Sequence, residues 1–324
     1  MVLAAERDGI LIPGKSVIIE PTSGNTGMSD CSIGPSGYRV IITMPNRMSQ
    51  EKEALLRALG AEVVRTPDDA PWDSPASHIG RAFHKRPGAP LFWITTLIRL
   101  VQVNNPLAHE YTTGPEIIAA VASTPSTSAK PSSLKVDVFV AGAGTGGTIT
   151  GVSHALKKDH NPECIVIGVD PVRIHFDHTA SPPLTLVDRL AALLLRVDIL
   201  MTNAPNPTLS RALAMTSCPN VLSHNPADID HWVKTSDNDA FQAVERLMKT
   251  EGLLVGGSSG SALSGALAWL KTEQGQKIAQ TEGLNVVILL ADGIRNYMSK
   301  EWFLDFALRP GTSRIPQTTS DTGN

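Results

Sequence analysis

Val136-Asp137-Val138-Phe139-Val140-Ala141-Gly142-Ala143-Gly144-Thr145-Gly146-Gly147-Thr148-Ile149 is the stretch on which the fold turns. An apolar, β-branched strand runs into a turn made of glycine and threonine. A helical pattern, Ile149 to Lys158, emerges directly from that turn. A buried strand followed at once by a helix is the repeating unit of a parallel sheet. At such a helix start the first amides lack intrahelical partners and the dipole favours an anion. Gly144, Thr145, Gly146, Gly147 and Thr148 therefore form a candidate phosphate loop, with the two threonines adding hydroxyl donors. The plainer alternative is a tight strand-helix turn that binds nothing.

Moving outward, the same rhythm recurs. Val17 to Ile19, Tyr38 to Met44, Ala61 to Val64, Ile165 to Val169 and Val286 to Leu290 read as further buried strands. Ser49 is placed to cap a helix with Glu51 and Glu53 in its first turn and Gly60 beyond its end. Ser236 to Asp239 resembles a capping box. The helix behind it sets Phe241, Val244, Leu247 and Met248 on one face and stops at Gly252. The alternation predicts an α/β fold with a mainly parallel sheet covered on both faces; the expected organisation is two lobes around a cleft, a small lobe near residues 28–121 and a large lobe from 1–27 plus 134–310. The Ser/Pro/Thr-rich segment 122–133 is the connection and 311–324 a disordered tail. Three segments break the pattern: Met28 to Ser36, Phe92 to Val103 and Val172 to Cys218.

A second polar turn, Thr22-Ser23-Gly24-Asn25-Thr26-Gly27, follows the strand at Ile19 and crowds hydroxyl and amide groups into a small volume. A third, Gly252 to Ser261, opens another helix. A fourth, Ala291 to Tyr297, follows the last strand, where ligands bind in parallel sheets. The loop after Ala141 also satisfies G-x-G-x-x-G, and the next strand ends on the acidic Asp170. A nicotinamide-dependent oxidoreductase therefore stands as a rival. That rival gives no role to the Thr22 turn or to Asn296-Tyr297, and it must accommodate Pro171 directly after the acid.

Composition narrows the classes. The chain has 324 residues, 42% hydrophobic and 18% charged, which suits a globular protein rather than a disordered one. A net charge of -3 gives no electrostatic reason to expect nucleic acid. Cys31, Cys164 and Cys218 have neither metal-ligand nor disulfide spacing, consistent with a reducing compartment and no metal. The most hydrophobic run, Leu184 to Leu200, is interrupted by Asp188, Arg189, Arg196 and Asp198, so no membrane span is predicted. The charged start, Glu6-Arg7-Asp8, does not read as a signal peptide, and a cytoplasmic location is the expectation.

Together the four loops, with Ala5-Glu6-Arg7-Asp8-Gly9, Asn105-Pro106-Leu107-Ala108-His109, Gly168 to Pro171 and Arg295 to Met298, resemble the cystathionine beta-synthase and cysteine synthase family. These are fold-type II pyridoxal-phosphate enzymes with a three-layer αβα, tryptophan synthase beta-subunit-like fold. The resemblance implies that pyridoxal 5'-phosphate is held by Gly144, Thr145, Gly146, Gly147 and Thr148 at its phosphate and by Asn25 at its ring hydroxyl. It implies that Thr22, Ser23 and Thr26 take the substrate carboxylate. It implies β-replacement on L-serine with homocysteine, giving cystathionine. The near alternative is a cysteine synthase acting on an O-activated serine. Small-molecule amino acids are the expected partners, and a homodimer the expected assembly. The family's Schiff-base lysine falls upstream of the Ala5-Glu6-Arg7 block, so no catalytic residue is assigned among these residues. Impaired turnover, or a non-catalytic binding role for the cofactor or amino acid, is expected of them. Gly293 stands where many members place a serine facing the pyridine nitrogen, and that contact is left unassigned.

Overall fold

A computed structural model of the chain describes residues 2–9, 11–22, 37–70, 74–84, 92–94, 104–171, 221–223 and 225–309. Strand-helix alternation gives two four-stranded sheets, each wholly parallel. The first has the order β3-β2-β1-β4, built from β1 (Val17–Pro21), β2 (Arg39–Pro45), β3 (Glu62–Thr66) and β4 (Phe92–Ile94). The second has the order β7-β6-β5-β8, from β5 (Val138–Gly142), β6 (Ile165–Pro171), β7 (His231–Thr235) and β8 (Val286–Ile288). The flanking helices are α1 (Val2–Arg7), α2 (Gln50–Ala58), α3 (His78–His84), α4 (Asn104–Ala108), α5 (Gly114–Ala122), α6 (Gly147–Asp159), α7 (Asp237–Glu251), α8 (Gly257–Trp269), α9 (Glu273–Gln280) and α10 (Glu301–Ala307). A π-helical turn, His109–Thr113, joins α4 to α5.

The strands are apolar without alternation because both faces of each sheet are covered. In the second sheet Phe139, Ala141 and Val166 pack with Ile149, Val152 and Leu156 of α6 on one side. Val138, Val140, Ile167 and Val169 pack with Ala266 and Trp269 of α8 on the other. In the first sheet Ile18, Val40, Ile42 and Met44 meet Ala5 and Leu56, while Val17, Ile19 and Ile41 meet Ala82. Each such fully buried aliphatic side chain contributes roughly 1.5–3 kcal/mol.

Helix ends follow their local signals. Ser49 accepts from the Lys52 amide, and Gly60 takes a left-handed φ of 91° after α2. Ser236 accepts from the Asp239 amide, and Gly252 ends α7 at φ 70°. Two expectations needed revision. β1, grouped by sequence with the larger lobe, is an interior strand of the first sheet, bonded to β2 and β4. Its β-branched run could pair in either sheet, and only the register with Arg39 to Thr43 decides. Phe92 to Ile94, in a stretch without a readable period, supplies the edge strand β4. Segments 28–36 and 172–218 and the tail 311–324 lie outside the described residues. No helix among the described residues is long and apolar enough to cross a membrane.

A pH dependence follows from the joint between β5 and α6. The Val136 amide donates to His160 Nε2 at 3.0 Å, so that nitrogen must be unprotonated. Burial, then the Lys135 charge, hold the imidazole below the ordinary histidine range, against the opposing pull of Asp137. His78 is lowered likewise, by burial and then by Arg47. The unfolded chain therefore takes up these protons first. Their effect is absent above the free-histidine value of about 6.5, and stability is lost as pH falls through it toward the folded values. The urea midpoint is expected to drop between pH 7.5 and pH 5. His160→Gln, whose Oε1 still accepts from Val136, should flatten part of that slope; an unchanged slope would refute the assignment.

Candidate functional site

The loop after β5 is shaped by contacts on its outer side and open on its inner side. Gly146 adopts φ 91°, and a Cβ there would lie 2.5 Å from the Leu222 side chain. A Cβ on Gly147 would lie 2.1 Å from Asn105 Oδ1. By contrast, Cβ atoms on Gly142 and Gly144 would meet nothing within 4 Å among the described residues. α6 begins at Gly147 with Gly146 as its N-cap and no side-chain cap bond. The helix-start amides therefore have no intrahelical carbonyl partner.

Two residues upstream hold the threonines of this loop. Asn105 Nδ2 donates to Thr145 Oγ1 at 3.4 Å. His109 Nε2 lies 3.1 Å from Thr148 Oγ1, and its Nδ1 lies 2.9 Å from Thr113 Oγ1. Burial lowers the His109 imidazole below its ordinary range, which keeps it neutral at neutral pH. The close approach is set by Gly151, where a Cβ would sit 2.0 Å from the Pro106 carbonyl oxygen. Neither Asn105 nor His109 was assigned a role from sequence. Their spacing of four on a helical stretch, which places both on one face, is the signal that could have found them.

Of the expected substrate-binding residues, Thr22 is described. It is buried just past the carboxyl end of β1, with its amide donating to Thr43 O at 3.1 Å. Ser23, Asn25 and Thr26 lie outside the described residues. The carboxyl ends of β1 and β5 are where a doubly covered parallel sheet binds ligands.

A second polar centre joins the lobes. Asp292 takes the Ser259 amide at 2.9 Å and hydroxyl at 2.6 Å on Oδ1, and the Tyr297 hydroxyl at 2.8 Å on Oδ2. The Ser258 amide adds a bond at 3.3 Å, so Asp292 caps α8 from outside the helix. Burial, then the Asp292 charge and hydrogen bond, push the Tyr297 hydroxyl above the ordinary tyrosine range. The Lys52 ammonium stands 4.7 Å from the centre of the Tyr297 ring, its pKa lowered first by burial. Ser49 Oγ donates to Asn296 O at 2.9 Å, and Glu51 accepts from the Ser299 amide and hydroxyl. Beside this centre Thr235, Asp237, Phe241, Ser258, Ser261 and Tyr297 line a recess of roughly 200 Å³. Asp170, the acid that the nicotinamide reading needed, is buried at 1% exposure and paired with Lys234. It is not presented to a ribose. Among the described residues no group of His, Cys, Asp and Glu gathers in a metal-binding arrangement.

The glycine loop meets the demands of a phosphate ester: uncapped amides at a helix start, two oriented hydroxyls and an open inner face. Comparison with known proteins identifies the family. Residues 1–292 match the family described as pyridoxal-phosphate dependent enzyme. Cystathionine beta-synthase of Dictyostelium discoideum is 39% identical over 310 residues, covering 94% of this chain and 54% of that protein. The Rattus norvegicus cystathionine beta-synthase is 40% identical over 309 residues, covering 94% of this chain and 48% of the relative. The chain thus spans about half the length of these relatives. A solved structure of a hydrogen sulfide-producing enzyme from Fusobacterium nucleatum superposes with a TM-score of 0.64 at 27% identity, over 91% of this chain and 84% of that one.

Proposed function

As the chain belongs to the pyridoxal-phosphate dependent enzyme family, we propose that it serves β-replacement on L-serine, exchanging the β-hydroxyl for the sulfur of homocysteine to give cystathionine. The observation that carries this reading is the glycine loop at the start of α6, uncapped and backed by Asn105 and His109. In this proposal Gly144, Thr145, Gly146, Gly147 and Thr148 bind the phosphate of pyridoxal 5'-phosphate, and Asn25 orients its ring through the ring hydroxyl. Thr22, Ser23 and Thr26 bind the amino-acid carboxylate. The cofactor, when bound, supplies the electron sink that lets the β-substituent leave. A second reading is the same replacement with sulfide on an O-activated serine; the Fusobacterium nucleatum neighbour, named as hydrogen sulfide-producing, has sulfide as its product.

In this proposal the Schiff-base lysine is not among these residues, so the 324-residue stretch expressed by itself is expected to bind but hardly to turn over. Equilibrium dialysis of the 324-residue chain should show saturable binding of pyridoxal 5'-phosphate. Mass spectrometry after incubation with serine and homocysteine should show little cystathionine. Retention of NAD without retention of pyridoxal phosphate would sink the family function for this chain. Rapid cystathionine formation would sink the expected impairment.

A further inference from the structure

Thr145 and Thr148 can serve a phosphate only if their protons point at it. A threonine hydroxyl has one proton, and a neighbour that accepts that proton leaves only lone pairs for the anion. The partners of these two hydroxyls therefore decide whether the loop attracts or repels a phosphate. Asn105 offers Thr145 its amide nitrogen, a donor, so Thr145 Oγ1 accepts there and its own proton is free. His109 is ambivalent, since a neutral imidazole donates from one nitrogen and accepts at the other. Burial keeps it neutral at neutral pH, so the tautomer matters.

We propose that Asn105 and His109 are positioning residues that set the hydrogen-bond polarity of the phosphate loop, with Thr113 fixing the His109 tautomer. In this arrangement the Thr113 hydroxyl donates to Nδ1 at 2.9 Å. The ring then carries its proton on Nε2 and donates it to Thr148 Oγ1 at 3.1 Å. Thr148 keeps its own proton for the phosphate. The opposite tautomer would consume that proton on the ring and turn oxygen lone pairs toward a dianion. The backbone supports the relay. His109–Thr113 is a π-helical turn closed by the Gly114 amide donating to His109 O, and it brings the Thr113 hydroxyl to the ring. Such single turns recur at functional sites. The adjacent Thr112 hydroxyl instead donates to its own helix, at Ala108 O, 2.6 Å.

This inference rests on the phosphate-loop reading above, and the test separates the two. Affinities for pyridoxal 5'-phosphate and for pyridoxal, measured on the same preparation by fluorescence titration, give a ratio that reports the phosphate contacts alone and cancels any inactive fraction. The wild type should favour the phosphorylated form; equal affinities would overturn the loop reading itself. His109→Gln, whose amide Nε2–H replaces the ring donor, should keep most of the preference. His109→Leu should reduce it by about 10- to 100-fold, the worth of one hydrogen bond to a charged group. Thr113→Val, which touches no ligand, should reduce it about 3- to 10-fold through the tautomer alone. Pyridoxal affinity should stay unchanged in each. The ³¹P resonance of the bound phosphate should move in Thr113→Val and His109→Leu but not in His109→Gln. A preference that holds at the wild-type level in both Thr113→Val and His109→Leu, or that His109→Gln loses as fully as His109→Leu, would overturn the proposal.

Discussion

Gly151→Val is expected to abolish cooperative folding of the second lobe. A Cβ at this position would lie 2.0 Å from the Pro106 carbonyl oxygen and 2.9 Å from the Glu110 amide nitrogen, both backbone atoms. No rotamer change relieves a clash with backbone, so α6 would have to move off α4 and the π-helical turn. α6 carries Ile149, Val152 and Leu156 into the main core of that lobe, and these contacts would go with it. Glycine inside a helix costs about 1 kcal/mol relative to alanine. Its presence here is explained only by the close approach. Gly151→Ala sets the two effects against each other: about 1 kcal/mol of helix propensity gained, about 1–3 kcal/mol of overpacking lost. The expected balance is a lower denaturant midpoint for alanine and no cooperative transition for valine. An alanine variant as stable as the wild type would show that the contact between α6 and α4 yields freely.

Asp292→Ala is expected to destabilise by about 2–4 kcal/mol, the sum of a lost helix cap and of donors left without an acceptor. Ser259 is fully buried, so its amide cannot turn to water once the carboxylate is gone. The Tyr297 hydroxyl also loses its acceptor, and Tyr297 is the ring under Lys52 of the other lobe. The loss should therefore appear both in the urea midpoint and in greater protease sensitivity near residues 49–52 and 294–300. Asp292→Asn should fall between, because its amide keeps one acceptor oxygen and presents a donor toward the Tyr297 hydroxyl or the helix amides. A change below about 0.5 kcal/mol would mean that these donors find other acceptors.

The strands and helix ends were readable because each signal is local. Val138 to Ala141 and Val17 to Ile19 are apolar on successive residues, and only a strand covered on both faces needs that. Ser49, Gly60, Ser236 and Gly252 mark helix ends by short-range hydrogen bonds and by left-handed turns, which depend on neighbours in sequence. The glycine loop was legible for the same reason: strand, turn and helix start are contiguous.

Sequence by itself therefore determined the α/β class, the family and the contiguous strand, glycine loop and helix start, each encoded in runs of adjacent residues. Tertiary structure alone decided three things. It put β1 inside the first sheet, because pairing register is a contact between distant strands. It made Asp170 a buried partner of Lys234 instead of a ribose ligand. And it brought Asn105 and His109 behind Thr145 and Thr148, across about forty residues of chain. A hydroxyl's direction is set by whatever group lies against it, and which group that is only the folded chain determines.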